Sequence, residues 1–191
     1  RNLGIELATG DYVTFCDADD ELLPSALSDM LTVAKKYSAD FVVGGIENVS
    51  IDQRRNEKRI TSPLERELII LNDRDALAFC KLWENNDMLS SCTKLFSRDF
   101  LINYGIRYNE KLVVLEDFDF VASCLLKAKK VVSVDSIVYR YFHYINTGAN
   151  YLRRSRRDFA DDVAHAYNRQ KQAFEYYGVD LFENRWRRWR C

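Results

Sequence analysis

Residues 17–21 read Asp-Ala-Asp-Asp-Glu, four carboxylates in five positions directly after the apolar run 12–16. Carboxylates set this closely repel one another, and the cluster is costly unless something positive binds there. Asp-x-Asp at the end of a strand offers hard oxygen ligands, and in an extended segment Asp17 and Asp19 point the same way. Mg2+ or Mn2+ held there keeps several of its waters and reaches the phosphate oxygens of a substrate. The other reading of the same residues is a solvated loop and an acidic helix start, which the helix dipole favours. An EF-hand is excluded, because its sixth and twelfth positions counted from Asp17 are Leu22 and Ser28 rather than Gly and Glu. A second cluster, Glu116-Asp117-Phe118-Asp119, follows another apolar run. A carboxylate at the mouth of a site can serve as a general base if it reaches the proton it must remove. Here too a structural reading stands beside the chemical one: Asp117 as the N-cap of the helix that follows.

The elements that must position these groups can be read from periodicity. Residues 12–16 predict a central strand. Pro24 starts a helix whose apolar face is Leu27, Met30, Leu31 and Ala34. Residues 40–51 predict a second strand, in which Gly44-Gly45 marks a bulge or a close backbone approach. Residues 52–59 are polar, a loop or an exposed edge, and 64–71 fit helix or strand equally. Asp73 is placed to cap a helix that turns Ala76, Phe79, Cys80 and Trp83 inward. A short strand then ends at Phe96, and a helix capped by Ser97 ends at Gly105. The second acidic cluster opens a helix from about Asp117. Two short strands, in 131–135 and 137–144, precede a long helix over about 155–177 with Phe159, Val163, Tyr167 and Phe174 at helical spacing. Strands interleaved with helices predict an α/β class with a mixed sheet. In such sheets ligands sit beyond the carboxyl ends of strands, where both acidic clusters are expected.

Hydrophobic residues make up 47% and charged residues 30% of the chain, which excludes a disordered polypeptide. The net charge of −1 is uneven: from Tyr151 onward ten Arg/Lys face six Asp/Glu, so this part carries +4 and the rest −5. Five cysteines, an odd number without a Cys-x-x-Cys, argue against a disulfide framework and for a reducing compartment. Cys16, Cys80 and Cys124 lie in apolar runs, as small hydrophobes do. No apolar run reaches the ~18 residues of a membrane span. The opening, with Leu3 and Leu7 four apart and Gly10 as a stop, reads as the end of an amphipathic helix, so further strands are expected upstream.

"RNLGIELATGDYVTFCDADDEL", "SSCTKLFSRDFL" and "LVVLEDFDFVASCLLKAKKVVSVDSIVYRYFHYINTG" occur in an order and spacing that resembles the family 2 inverting glycosyltransferases of the GT-A fold. The resemblance runs from Arg1 to about Gly148. It implies a GT-A-like mixed sheet flanked by helices that lacks the first nucleotide-binding strands. Residues 1–150 would be a partial catalytic domain and 151–191 a C-terminal helical extension. It implies transfer of a sugar from a nucleotide-diphosphate donor, a UDP-sugar, to an acceptor hydroxyl with inversion, in polysaccharide or glycolipid assembly. By the resemblance Asp19 coordinates Mg2+ or Mn2+ at the diphosphate, and Asp17 serves the ribose or the metal. Asp117 is the general base and Glu116 orients the acceptor or Asp117. Arg1 and Asn2 border the nucleotide site, and His143 lies near the diphosphate or the metal. The acceptor would be a glycan or a lipid-linked acceptor, and the location cytoplasmic, with association to the cytoplasmic face of a membrane as a further option.

Two other functions fit parts of the pattern. A metal-dependent phosphotransferase could use Asp17-Ala18-Asp19, although Glu21 stands where the haloacid-type enzymes want Thr or Val. A non-catalytic glycan-binding module could keep the fold. His143 also reads as an ordinary strand residue, His165 as surface, and Lys94 as a solvated lysine with an approach to the acceptor side as the other reading. The Arg/Trp-rich stretches within 153–190 suggest contact with an anionic membrane surface. Nucleic acid is not expected as a partner, because the acidic body would repel phosphate.

Overall fold

The computed structural model describes all residues except 53, 63–66, 85–87, 89, 145–158 and 181–191. Its centre is a mixed sheet in which β3 (Phe41–Ile51) runs parallel to β7 (Lys130–Tyr144). β6 (Lys94–Ser97) lies antiparallel on the other side of β3, and β1 (Tyr12–Thr14) pairs with β6. The short strand β2 (Glu21–Leu22) pairs with β7, giving the order β1-β6-β3-β7-β2. β4 (Glu57–Ser62) adds to β3, and β5 (Ile70–Asn72) to β7. The expected mixed α/β sheet is therefore present, and among the described residues β1 pairs on one side, with β6. The strands expected in 131–135 and 137–144 are one continuous strand.

Alternation along the strands splits the core in two. Phe41, Val43 and Val131 point into a cluster with Phe79, Phe96, Phe120 and Phe174, whereas Val42 and Val132 point into one with Ala26, Met30 and Ala34. Helix α1 (Asn2–Leu7) and α2 (Ala26–Tyr37) come first in the chain. α3 (Ala76–Glu84), α4 (Arg98–Asn103), α5 (Glu116–Leu125) and α6 (Phe159–Tyr176) follow. Both faces of the sheet are thus covered by helices. α2 lays Ala26, Met30 and Ala34 on the sheet and leaves Leu27 half exposed, because small side chains let the helix approach. In α1 the buried residue is Ile5, and Leu3 and Leu7 face outward. α6 buries Ala166, Ala173 and Phe174 and leaves Phe159 and Val163 out. The cap of α3 is Asp75, which accepts the Ala78 N–H at 3.0 Å, while Asp73 accepts from the Tyr176 hydroxyl at 2.6 Å. Within α3, Phe79 is buried beside Ala78 and Leu82, with Ala76, Cys80 and Trp83 packed partly against them. Ser97 caps α4 as expected, and Gly105 ends it with φ 60°.

Gly44 and Gly45 do both things expected of them. The β3–β7 register shifts there, and a Cβ on Gly44 would overlap the Val138 methyls, with Val138 Cβ only 2.9 Å away. Val138 is fully buried and cannot move aside. Gly44→Ala is therefore expected to lower the unfolding free energy by about 2–3 kcal/mol, the scale of overpacking in a dense core. Chemical denaturation measures this, and Val138→Ala in the same chain should restore part of the loss.

Among the described residues four cysteines are free; Cys92 and Cys124 are buried, but Cys16 is exposed and does not act as a core hydrophobe. Burial pushes the Cys92 thiol up to about 11. Lys94 is fully buried rather than solvated, donating from Nζ to the Ser90 carbonyl and, at 3.1 Å, to Thr93 Oγ1. No helix among the described residues is long and apolar enough to cross a membrane.

Candidate active site

The two acidic clusters meet at one cation. Arg1 donates from Nη2 to Asp17 Oδ1 at 2.8 Å, and from Nη1 to Asp117 Oδ1 at 2.6 Å and Glu116 Oε1 at 3.1 Å. Its guanidinium also lies 5.3 Å from the Tyr108 ring centroid, within cation–π range. Burial pulls the Arg1 pKa down, but the Asp17 hydrogen bond and the Asp117 charge outweigh it, and the net shift is upward. Arg1 stays charged at any working pH.

Asp17 sits in a turn, closed by the Asp20 N–H on the Asp17 carbonyl at 3.2 Å, so residues 17–20 are not extended and alternation does not align Asp17 with Asp19. The turn is tied to the sheet from β7. The Tyr139 hydroxyl accepts the Asp17 N–H at 3.1 Å and donates to Asp20 Oδ2 at 2.8 Å, and Asp20 Oδ1 accepts the Phe142 N–H at 2.9 Å. Asp20 therefore holds the loop, with a pKa raised mainly by burial. Glu21 is turned away into an ion pair with Arg140 at 2.7 Å. Asp17 is half-buried and Asp19 exposed, which leaves these two carboxylates on one tethered turn. His143 is half-buried on β7, one residue beyond the Asp20 anchor at Phe142.

The second cluster does not follow a strand: residues 112–115 are a loop, and the N-cap position of α5 is Leu115, with φ 61° and no side-chain cap. Asp117 is not the cap. It faces Arg1 and is hydrogen-bonded to buried Ser91, whose Oγ accepts from the Tyr108 hydroxyl at 2.7 Å. Burial raises the Asp117 pKa, Arg1 pulls it down, Glu116 pushes it up again, and the net shift is upward. A carboxylate whose pKa is lifted toward neutrality is a better proton acceptor than an ordinary one. Asn2 is engaged with the loop that carries Tyr108: its Nδ2 donates to the Tyr108 carbonyl at 3.0 Å and Glu110 at 2.9 Å, and its Oδ1 accepts the Tyr108 N–H at 2.8 Å.

Asp19 and Asp17 supply oxygen donors alone, the donor set of a hard divalent cation that keeps most of its water. The described residues hold no group of three or more His, Cys, Asp or Glu side chains fit for a metal, so such an ion would be completed by water and phosphate. Sequence reasoning missed Ser91 and Tyr108 because nothing local marks them; their importance comes from the fold bringing them under Asp117. His165 is at the surface as expected, its side chain 41% exposed, but its Nε2 also contacts Asp119 Oδ1 at 3.0 Å, which the sequence does not mark. The arginines and tryptophans of 153–158 and 181–190 lie outside the described residues.

A mixed sheet with helices on both faces is the fold the chain shares with GT-A glycosyltransferases. Glycosyl transferase family 2 matches residues 1–105, and the chain belongs to that family. It is 31% identical over 144 residues to the succinoglycan biosynthesis protein ExoO of Rhizobium meliloti (strain 1021), covering 74% of this chain and 40% of that protein. It is 24% identical over 153 residues to the poly(ribitol-phosphate) beta-glucosyltransferase of Bacillus spizizenii (strain ATCC 23059 / NRRL B-14472 / W23), covering 80% and 22%. The crystal structure of S. aureus TarS 1-349 in complex with UDP-GlcNAc superposes with a TM-score of 0.65 at 17% identity, over 92% of this chain and 49% of that one. The chain thus spans less than half the length of each of these proteins.

Proposed function

We propose that this chain forms the metal- and acceptor-side part of an inverting glycosyltransferase that takes a UDP-sugar and extends a glycan or lipid-linked acceptor. The observation that carries this reading is the Arg1 bridge, which joins the Asp17 turn to Glu116 and Asp117. Donor-side and acceptor-side carboxylates then face one space. The relatives named for succinoglycan biosynthesis and poly(ribitol-phosphate) glucosylation, and the UDP-GlcNAc complex of a structural neighbour, support the donor and acceptor classes.

In this reading Asp117 takes the proton from the acceptor hydroxyl as its oxygen bonds to the anomeric carbon. The carbon–oxygen bond to the diphosphate breaks on the opposite face, which inverts the centre and releases the nucleoside diphosphate. Glu116 and Arg1 hold Asp117 in place, and Ser91 holds it from below. Asp19, with Asp17, would hold Mg2+ or Mn2+, which when bound neutralises charge on the diphosphate. Asn2 sets the loop that carries Tyr108, and His143 borders the diphosphate side. The Arg/Trp-rich stretches would rest on the cytoplasmic surface of a membrane.

Calorimetric titration of UDP in the presence of Mn2+ tests the donor side. Heat of binding is expected to need both the ion and Asp19, so Asp19→Ala should weaken UDP at least about tenfold, the loss of one charged ligand. UDP binding that ignores both, in this chain and in one extended upstream, would overturn the reading.

A further inference from the structure

We propose that Asp162, on the first turn of α6, is a positioning residue that sets the backbone presenting Glu116 and Asp117 to Arg1. The inference rests on the transferase reading for its purpose but on geometry for its substance. Asp162 is 6% exposed, and its Oδ2 accepts two backbone N–H groups, from Val113 at 2.9 Å and Val114 at 3.0 Å. Those are the two residues immediately before Leu115. Leu115 adopts φ 61° and ψ 20°, a left-handed conformation that a leucine does not hold by itself. Something outside the loop must fix it, and the Asp162 carboxylate fixes the peptide groups on its N-terminal side.

α6 grips the other side as well. Asp119, whose side chain is 4% exposed, points away from Arg1 and meets His165 Nε2 at 3.0 Å and Arg169 Nε at 3.2 Å, both from α6. Residues 113–119 are therefore pinned to α6 before and after Glu116 and Asp117. The far end of the loop is closed locally, with the Lys111 N–H on Asn109 Oδ1 at 3.1 Å and the Leu112 N–H on the Asn109 carbonyl at 3.1 Å. A helix lying beyond residue 150 is thus part of the site's framework and not an appendage to it.

The test uses the chain labelled with 15N and three local readouts. These are hydrogen exchange at the Val113 and Val114 amides, the HN–Hα coupling of Leu115, which reports its φ, and proton exchange at the Arg1 guanidinium. Asp162→Ala is expected to speed exchange at both amides at least tenfold, to shift the Leu115 coupling away from the left-handed value, and to speed Arg1 exchange. Asp162→Asn keeps an oxygen for both N–H groups and is expected to leave all three readouts near wild type. If Asp162→Ala does not fold, Asp162→Ser, whose hydroxyl is too short to reach both amides, replaces it. A variant that only lowers the melting temperature, with Leu115 and Arg1 unchanged, would overturn the proposal. So would an Asp162→Asn chain that behaves like Asp162→Ala. None of these readouts needs turnover, so the inference can fail without the transferase reading failing, and the reverse.

Discussion

Asp117→Asn is expected to reduce sugar transfer by the full-length protein by about 10²–10⁴-fold, the range for loss of a general base, while UDP binding stays within about twofold. The amide is isosteric and can still accept from Arg1 and Ser91, so geometry is kept and basicity is lost. The same substitution should not destabilise the chain. In the folded state the Asp117 pKa is raised, mainly by burial. The folded state then holds the proton more tightly than the unfolded state does. Its contribution to stability is greatest below the ordinary aspartate pKa and is lost as pH rises through the raised value. At neutral pH the charged carboxylate is a net burden, and a neutral amide removes it. A melting temperature equal to or above wild type, together with lost turnover, would identify Asp117 as a group kept for chemistry at the expense of stability. Full activity in Asp117→Asn would remove it from the reaction.

The acidic clusters stand out in the sequence because several adjacent carboxylates directly after an apolar run break its pattern. Their division of labour does not. Asp19 and Asp20 are neighbours of the same type, yet Asp20 is bound by Tyr139 and Phe142, 119 and 122 residues away, and Asp19 faces solvent. Only the position of β7 decides between them. The same holds for Asp119, which reads as one more acid in a helix start but is buried against α6. Local signals did better where the physics is local: Ser97 as a cap, Gly105 as a stop, Gly44-Gly45 as a bulge at close approach. At α2 they placed Met30, Leu31 and Ala34 correctly but took Leu27 for the core residue that is in fact Ala26, because the short distance of helix to sheet favours the small side chain. They also divided β7, because Asp135-Ser136 looks like a turn when its partner β3 is not in view.

Arg1→Gln should be the most damaging change at the site, because one cation serves three carboxylates. The guanidinium and the Glu116 and Asp117 side chains are each about one-third exposed or less, at 28%, 32% and 23%, so little water is available to replace it. Asp17, at 43%, is better screened and loses less. Removing one partner of a half-buried network costs about 1–3 kcal/mol after that screening. The sign with pH follows from the unpaired acids. Without Arg1 the downward pull on Asp117 disappears, and its pKa rises further above the ordinary value. The stability deficit of Arg1→Gln is therefore expected near neutral pH and should shrink as pH falls and the carboxylates take up protons. The acidic limb of the transfer rate, set by protonation of Asp117, should move to higher pH by the same cause. Melting curves across pH and a rate–pH profile measure the two effects separately. A deficit that is flat with pH, or an acidic limb that stays in place, would mean that Arg1 packs against Tyr108 without tuning the acids beside it.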